Sequence, residues 1–209
     1  SDLDIHIDEK YRSELSTYLF QNFDAIPIFL EDGHSHKMFS DYCKKILHDV
    51  FFNSIDIKSL YIQEDYINLY EKINKIIAEK VLENVENHTM VYIRDYPLLM
   101  VPKYICQKNP KQSICFSFTT QFPNIEVMKK LYNKNEILDS LLCCDLICFN
   151  SSEYIKRFSG IMHDAKGTSF YCEKGGHMYV KEYGKKVYLR VATASTDPAF
   201  VCYYQDSSD

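Results

Sequence analysis

The side chains of this chain that could hold a polar ligand come in three short groups, and each follows directly on an apolar run. Arg94, Asp95 and Tyr96 follow residues 90–93, Thr119, Thr120 and Gln121 follow 113–118, and Asn150, Ser151 and Ser152 follow 145–149. A carboxylate such as Asp95 accepts hydrogen bonds from a pair of hydroxyls, and threonine and glutamine donate and accept singly. Arg94 offers a planar fork that fits a phosphate. Blander uses remain open for both: Asp95 suits a cap on the segment that follows it, and Arg94 suits a surface ion pair.

Other combinations point to no reaction centre. His34 and His36 in the Gly33-His34-Ser35-His36 stretch are two apart, which diverges on a strand and does not converge on a helix; a loop with two solvated histidines is expected. Cys172 with His177 is a weaker pair still. Ser151-Ser152 lacks the glycines of a nucleophile elbow and suits a helix N-cap. Gly175-Gly176 marks a turn, because no helix follows to make a phosphate loop. No catalytic residue, metal ligand or cofactor is expected.

Elements must bring the three groups together. Short, nearly continuous apolar runs suit parallel strands covered on both faces, and ligands of open α/β sheets sit beyond the carboxyl ends of such strands. Three polar-tipped strands therefore predict a site at one edge of a parallel sheet. Helices are predicted over 7–23 (Tyr11, Leu15, Tyr18, Leu19, Phe23) and 37–52 (Met38, Tyr42, Ile46, Val50). The longest periodic segment, 63–86, repeats Tyr66, Tyr70, Ile73, Ile77, Val81 and Val85 with no internal Gly or Pro, the mark of an amphipathic helix. Further helices are expected over 101–106, 127–132 and 136–144. Another follows Asn150, which with Glu153 forms a capping-box pattern. Residues 25–30 read as a strand, and 168–172, 178–181 and 186–192 as β segments. The first two of these pair as a small antiparallel insertion, and the last returns to the main sheet. The fold class is thus α/β: a Rossmann-like parallel sheet sandwiched by helices, with a small β-hairpin insertion near the C-terminus.

At 209 residues the chain is one domain or at most two, with 17 Tyr, 13 Phe and no Trp, a globular composition. A net charge of −5 with interspersed signs gives no basic stripe for nucleic acid, and no apolar run of about 20 residues suits a membrane span. The eight cysteines form no Cys-x-x-Cys and sit largely in apolar runs, as small buried hydrophobes do. With no signal-peptide pattern at the start, a reduced, cytoplasmic setting is expected.

The same residues carry a resemblance. The segment 93–102, IRDYPLLMVP, resembles the hDYhLmllP segment of trehalose-6-phosphate synthases; ICFSFTTQFP (114–123) resembles their igfFLHTPFP; and EILDSLLCCDLICFNSS (136–152) resembles their elLrgLlgaDLIGFht. All three occur in order and at similar spacing. Looser similarity runs back through IPIFL (26–30) and forward through 184–200. The resemblance implies the N-terminal, acceptor-side Rossmann-like half of a two-domain GT-B glucosyltransferase, residues 1–209 being a fragment or divergent version of something longer. Such enzymes transfer glucose from UDP-glucose to glucose 6-phosphate with retention and without a metal, and a second Rossmann-like domain holds most of the donor. Asp95 matches the Asp that binds acceptor hydroxyls. Arg94 stands in place of a His, Pro97 replaces a second His, and Thr119 replaces the His that contacts the transferred sugar. An aromatic pair of the family, Tyr and Trp, aligns with Glu31 and Ser40. The implied substrate-binding set is Arg94, Asp95, Tyr96, Thr119, Thr120 and Gln121. The implied partners are a sugar phosphate and, in a parent protein, UDP-glucose and a second domain, with oligomerisation open. Two readings follow: a transferase half inactive alone, or a non-catalytic sugar-phosphate-binding or docking domain. A flavodoxin-like nucleotide binder is a third on fold alone, without a phosphate loop to support it.

Overall fold

The structure is a computed structural model in which residues 8–30, 33–52, 64–86, 88–182 and 184–192 are described. A six-stranded sheet forms its centre, in the order β1-β2-β3-β6-β5-β4. Strands β1 (Val91–Arg94), β2 (Ile114–Ser117), β3 (Leu146–Phe149) and β6 (Lys185–Val191) run parallel. β4 (Phe170–Cys172) and β5 (Met178–Glu182) extend the sheet antiparallel beside β6. The Rossmann-like reading and the β insertion are met.

Each parallel strand returns to its neighbour through helices: α5 (Val101–Lys108) links β1 to β2, α6 (Ile125–Met128) and α7 (Lys134–Leu142) link β2 to β3, and α8 (Ser152–Lys166) precedes the β hairpin that leads into β6. Crossovers of one hand between adjacent strands, taken in one direction, put their helices on one face. Alternation along the strands agrees. Val91, Ile93, Ile114, Phe116, Ile147, Phe149, Val187 and Leu189 join the buried core, whereas Tyr92 and Arg94 on the other side of β1 are exposed.

The long helix α4 (Glu64–Asn84) spans nearly all of the predicted segment and packs on α5. Before it, α2 (His34–His36), a π-helical stretch (Lys37–Leu47) and α3 (His48–Phe51) follow one another directly. The π stretch is wound with i→i+5 bonds, which suits burial of Met38, Tyr42, Cys43 and Leu47 at steps of four and five. The predicted face differs accordingly: Ile46 is only half-buried. The His34–His36 loop is also corrected, because both histidines start this helix; His34 is half-buried, and His36 faces Asp41 at 3.7 Å.

One further reading fails, and another is met with less packing than its stripe suggested. Residues 25–30 form no strand; Pro27 has no N–H to give a ladder, and Ile26, Pro27, Ile28 and Phe29 instead line a cleft with Ile76, Glu79, Lys80 and Glu83 of α4. Helix α1 (Glu9–Phe23) forms, capped by Asp8, but buries no residue, and Tyr11, Tyr18 and Phe23 are exposed. Position 31, aligned above with an aromatic, lies outside the described residues. The seven described cysteines are free, no described helix is long and apolar enough to cross a membrane, and no metal-binding cluster occurs among the described residues.

Candidate functional site at the strand tips

Two strand tips meet through one carboxylate. β1 ends with the Asp95 N–H donating to the Ser117 carbonyl (3.0 Å), which continues the ladder one step past Arg94. The Asp95 side chain then receives four donors from the chain leaving β2. The Thr119 N–H (2.7 Å), the Thr120 N–H (3.2 Å) and the Thr120 hydroxyl (3.4 Å) donate to Oδ1, and the Thr119 hydroxyl donates to Oδ2. A carboxylate has about four acceptor positions, two on each oxygen, so Oδ1 is crowded with three donors and Oδ2 keeps one position open. The backbone of Asp95 is held at φ 62°, ψ 170°. Only glycine enters that region freely; another residue there is strained by about 1–3 kcal/mol, and the four hydrogen bonds oppose that strain.

β3 joins the knot. Asn150 donates from Nδ2 to the Thr119 carbonyl, and the Phe118 N–H donates to the Cys148 carbonyl (2.9 Å). Asn150 is therefore not the expected helix cap. Ser151 caps α8, its Oγ accepting from the Glu153 N–H (3.2 Å), as the Ser-Ser pair suggested. Beneath the tips, Phe51, Phe118, Phe122, Phe149 and Phe158 stack and edge into one another at centroid separations of 5.2–6.0 Å. Such pairs contribute about 0.5–1.5 kcal/mol each beyond area burial, so the floor of the site is stiff.

The turn after Asp95, Tyr96–Leu98, is gripped from behind by α4. The Tyr70 hydroxyl donates to the Tyr96 carbonyl (2.6 Å) and accepts from the Leu99 N–H (3.0 Å). Asn74 donates to the Pro97 carbonyl (3.1 Å) and accepts from the Met100 N–H (3.1 Å). Both side chains are fully buried. Burial, with Cys43 and Tyr42 nearby, pushes the Tyr70 phenol well above its ordinary range, so it stays protonated and able to donate. Sequence reading took Tyr70 as one apolar stripe residue and missed Asn74, whose signal was a polar residue four places on along the same stripe.

The structure thus joins Asp95, Thr119, Thr120 and Asn150 and separates the remaining candidates. Arg94 lies on the sheet face opposite the core, exposed and without a hydrogen bond or ion pair among the described residues. Tyr96 packs its ring on Phe51 (5.3 Å, 27°), and burial is the first cause raising its phenol. Gln121 is half-buried beside the knot in sequence and makes no hydrogen bond among the described residues.

Comparison with known proteins fits this geometry. Residues 2–206 match glycosyltransferase family 20. A probable alpha,alpha-trehalose-phosphate synthase [UDP-forming] of Arabidopsis thaliana is 26% identical over 193 residues, covering 90% of this chain and 22% of the relative. An alpha,alpha-trehalose-phosphate synthase of Encephalitozoon cuniculi is 28% identical, covering 74% and 33%. The chain therefore spans between about a fifth and a third of these relatives. Among solved structures, the N-terminal domain of a Candida albicans trehalose-6-phosphate phosphatase superposes with a TM-score of 0.78 at 22% identity, covering 97% of this chain and 42% of that one. A Burkholderia xenovorans trehalose-phosphate synthase in complex with glucose-6-phosphate gives 0.75 at 14% identity, covering 83% and 38%. At these identities the structural likeness establishes the fold.

Proposed function

The chain belongs to glycosyltransferase family 20, and from that premise we propose that it is the acceptor-side, N-terminal Rossmann-like domain of a trehalose-6-phosphate synthase-like protein, in which the strand-tip site has become structural and does not transfer glucose. The observation that carries this reading is the engagement of both Asp95 oxygens by the chain's own threonines. The resemblance gives that position to acceptor-sugar hydroxyls, yet here both oxygens are taken by Thr119 and Thr120. One position is left on Oδ2, so a pair of sugar hydroxyls would have to displace at least one of these donors and leave it unpaired in a half-buried place, which costs about 1–3 kcal/mol. The substitutions point the same way. Thr119 lacks the imidazole that the family places there, and its hydroxyl is spent on Asp95. Pro97 offers no side-chain donor, and no Trp exists in the chain.

In such a parent protein, UDP-glucose would be held mainly by a second domain, and this half would serve as a scaffold beside it. The likeness to the N-terminal domain of a protein named as a phosphatase supports a parent in which this fold accompanies another activity. The test is an assay of UDP release by the 209-residue chain with UDP-glucose and glucose 6-phosphate. No turnover is expected; measurable turnover would overturn the reading.

A second reading keeps a weak sugar-phosphate site. Gln121 favours it, being half-buried near the knot with its amide uncommitted among the described residues. NMR titration with glucose 6-phosphate and trehalose 6-phosphate separates the two. Saturable shifts at Asp95, Thr119 and Gln121 would establish the weak site, and unmoved resonances would leave a scaffold or docking role.

A further inference from the structure

Toward the edge of the sheet where the parallel strands begin, opposite the strand-tip knot, α5 and α7 touch through small side chains. The Lys103 N–H, one of the first-turn donors that a helix cannot satisfy by itself, donates to the Ser140 hydroxyl of α7 (3.0 Å). Ser140 is fully buried, so only a hydroxymethyl group separates the α5 backbone from α7 at that level. Both helices run back from one strand tip to the start of the next strand, so they descend side by side in one direction. One turn further along each stands a cysteine, Cys106 three residues past Lys103 and Cys143 three past Ser140. Residues three apart share a helix face, so Cys143, still helical in backbone, keeps the side of α7 that meets α5. The Cys106 thiol is near enough to act on it as a hydrogen-bonding neighbour.

These two differ from the other described cysteines. Cys43, Cys115, Cys144 and Cys148 are buried and Cys172 is exposed, whereas Cys106 and Cys143 are both half-buried. They are open to a small reagent and yet held by their surroundings. Lys185 fixes the end of α7, its Nζ donating to the Cys143 carbonyl (2.6 Å) while pairing with Asp145 at 3.1 Å. The Cys143 thiol itself donates to the Asp139 carbonyl (3.5 Å). Burial first, and Cys106 next, hold that thiol above its ordinary range, so the pair rests as thiols until an oxidant arrives.

We propose that Cys106 and Cys143 are a modification site, a dithiol that closes reversibly into a disulfide and staples α5 to α7. In the first step one thiolate attacks a sulfur of a small-molecule disulfide such as oxidised glutathione, forming a mixed disulfide and expelling one small thiol. The other cysteine then attacks the protein sulfur of that mixed disulfide, which forms the Cys106–Cys143 bond and expels the second small thiol. Two protein thiols are oxidised, one small disulfide is reduced to two thiols, and the two protons end on those leaving groups. The bond closes a loop of about 40 residues. That loop carries β2, Thr119, Thr120, α6 and α7 and leaves Asp95 outside, so the staple constrains the segment that supplies the threonine donors. It does not rest on the reading of Asp95, because neither cysteine touches the knot.

The test incubates the folded 209-residue chain with oxidised glutathione, blocks the remaining thiols and maps the digested peptides by mass spectrometry. The expected result is a linked pair of peptides joining Cys106 to Cys143, lighter by two hydrogens and separated again by dithiothreitol. Closing a loop of this length should raise the melting temperature by roughly 5 °C or more. Cys106→Ser and Cys143→Ser should each give neither the linked peptides nor the rise, with unchanged circular dichroism. A mixed disulfide with glutathione that persists on either cysteine, a link joining another pair or two chains, or a link that forms only in urea would overturn the proposal. So would both cysteines remaining as thiols throughout.

Discussion

The segment that leaves β1 is held by two polar clusters, and they differ in kind. Behind it, the fully buried side chains of Tyr70 and Asn74 of α4 bind four backbone groups of residues 96–100, the two N–H groups in full burial and the two carbonyls in half-burial. In front, the Asp95 side chain draws in Thr119 and Thr120 from the next strand tip in half-burial. The rear cluster pairs side chains with a backbone that would otherwise be orphaned, which buried chain requires in any fold. The front cluster spends ligand-type residues on one another and holds Asp95 in a strained backbone conformation. Strain at such a position persists only where its surroundings over-determine it. In this molecule the surroundings are the chain's own threonines.

The comparison breaks most visibly at the rear. Asn74→Leu leaves the Pro97 carbonyl and Met100 N–H without partners, and Tyr70→Phe does the same to the Tyr96 carbonyl and Leu99 N–H. Each change should lower unfolding free energy by about 2–4 kcal/mol, from a buried N–H at about 1–3 kcal/mol and a smaller share for a half-buried carbonyl that water can partly satisfy. Urea denaturation checks it, and a loss under about 1 kcal/mol would mean that the clamp is ornamental.

The front cluster should respond less, and in a way that sharpens the strain argument. Asp95→Ala removes the four acceptor contacts but keeps a Cβ at φ 62°, for an expected loss of about 2–3 kcal/mol. Asp95→Gly removes the same contacts and relieves the strain, so it should be milder than Asp95→Ala by about 1 kcal/mol or more. Equal losses in the two variants would remove strain from the account.

Smaller again is the difference between the threonines. Thr119→Val should cost about 1 kcal/mol, and Thr120→Val less, because the Thr120 hydroxyl contact is the longest of the set at 3.4 Å. Their backbone N–H contacts survive both changes. The reverse order, measured by thermal or urea unfolding, would place the principal contact on the wrong threonine.

Much of this architecture was legible because its signals are local. β1, β2 and β3 announce themselves as apolar runs with abrupt polar ends, and α4 as a long uninterrupted stripe. The gathering of Asp95, Thr119 and Asn150 followed from strand-tip logic and held. What those residues do was not legible, since sequence cannot tell an acceptor aimed at solvent from one closed by a neighbouring strand. Arg94 shows the limit of adjacency: one residue from Asp95, it projects to the opposite face because strands alternate. The run at 26–30 has strand-like residues, but a strand needs a partner ladder, and Pro27 cannot complete one. Helix α1 has the right period, yet period reports which residues share a face and not whether anything packs on it.

A double-mutant cycle over Asp95→Ala and Thr119→Val tests the front latch most directly, because contact between two residues appears as non-additive stability. The account predicts a coupling of about 1 kcal/mol or more, together with no detectable heat on titrating the wild-type chain with glucose 6-phosphate. Additive losses, with a glucose 6-phosphate affinity that Asp95→Ala abolishes, would contradict it and return Asp95 to the sugar.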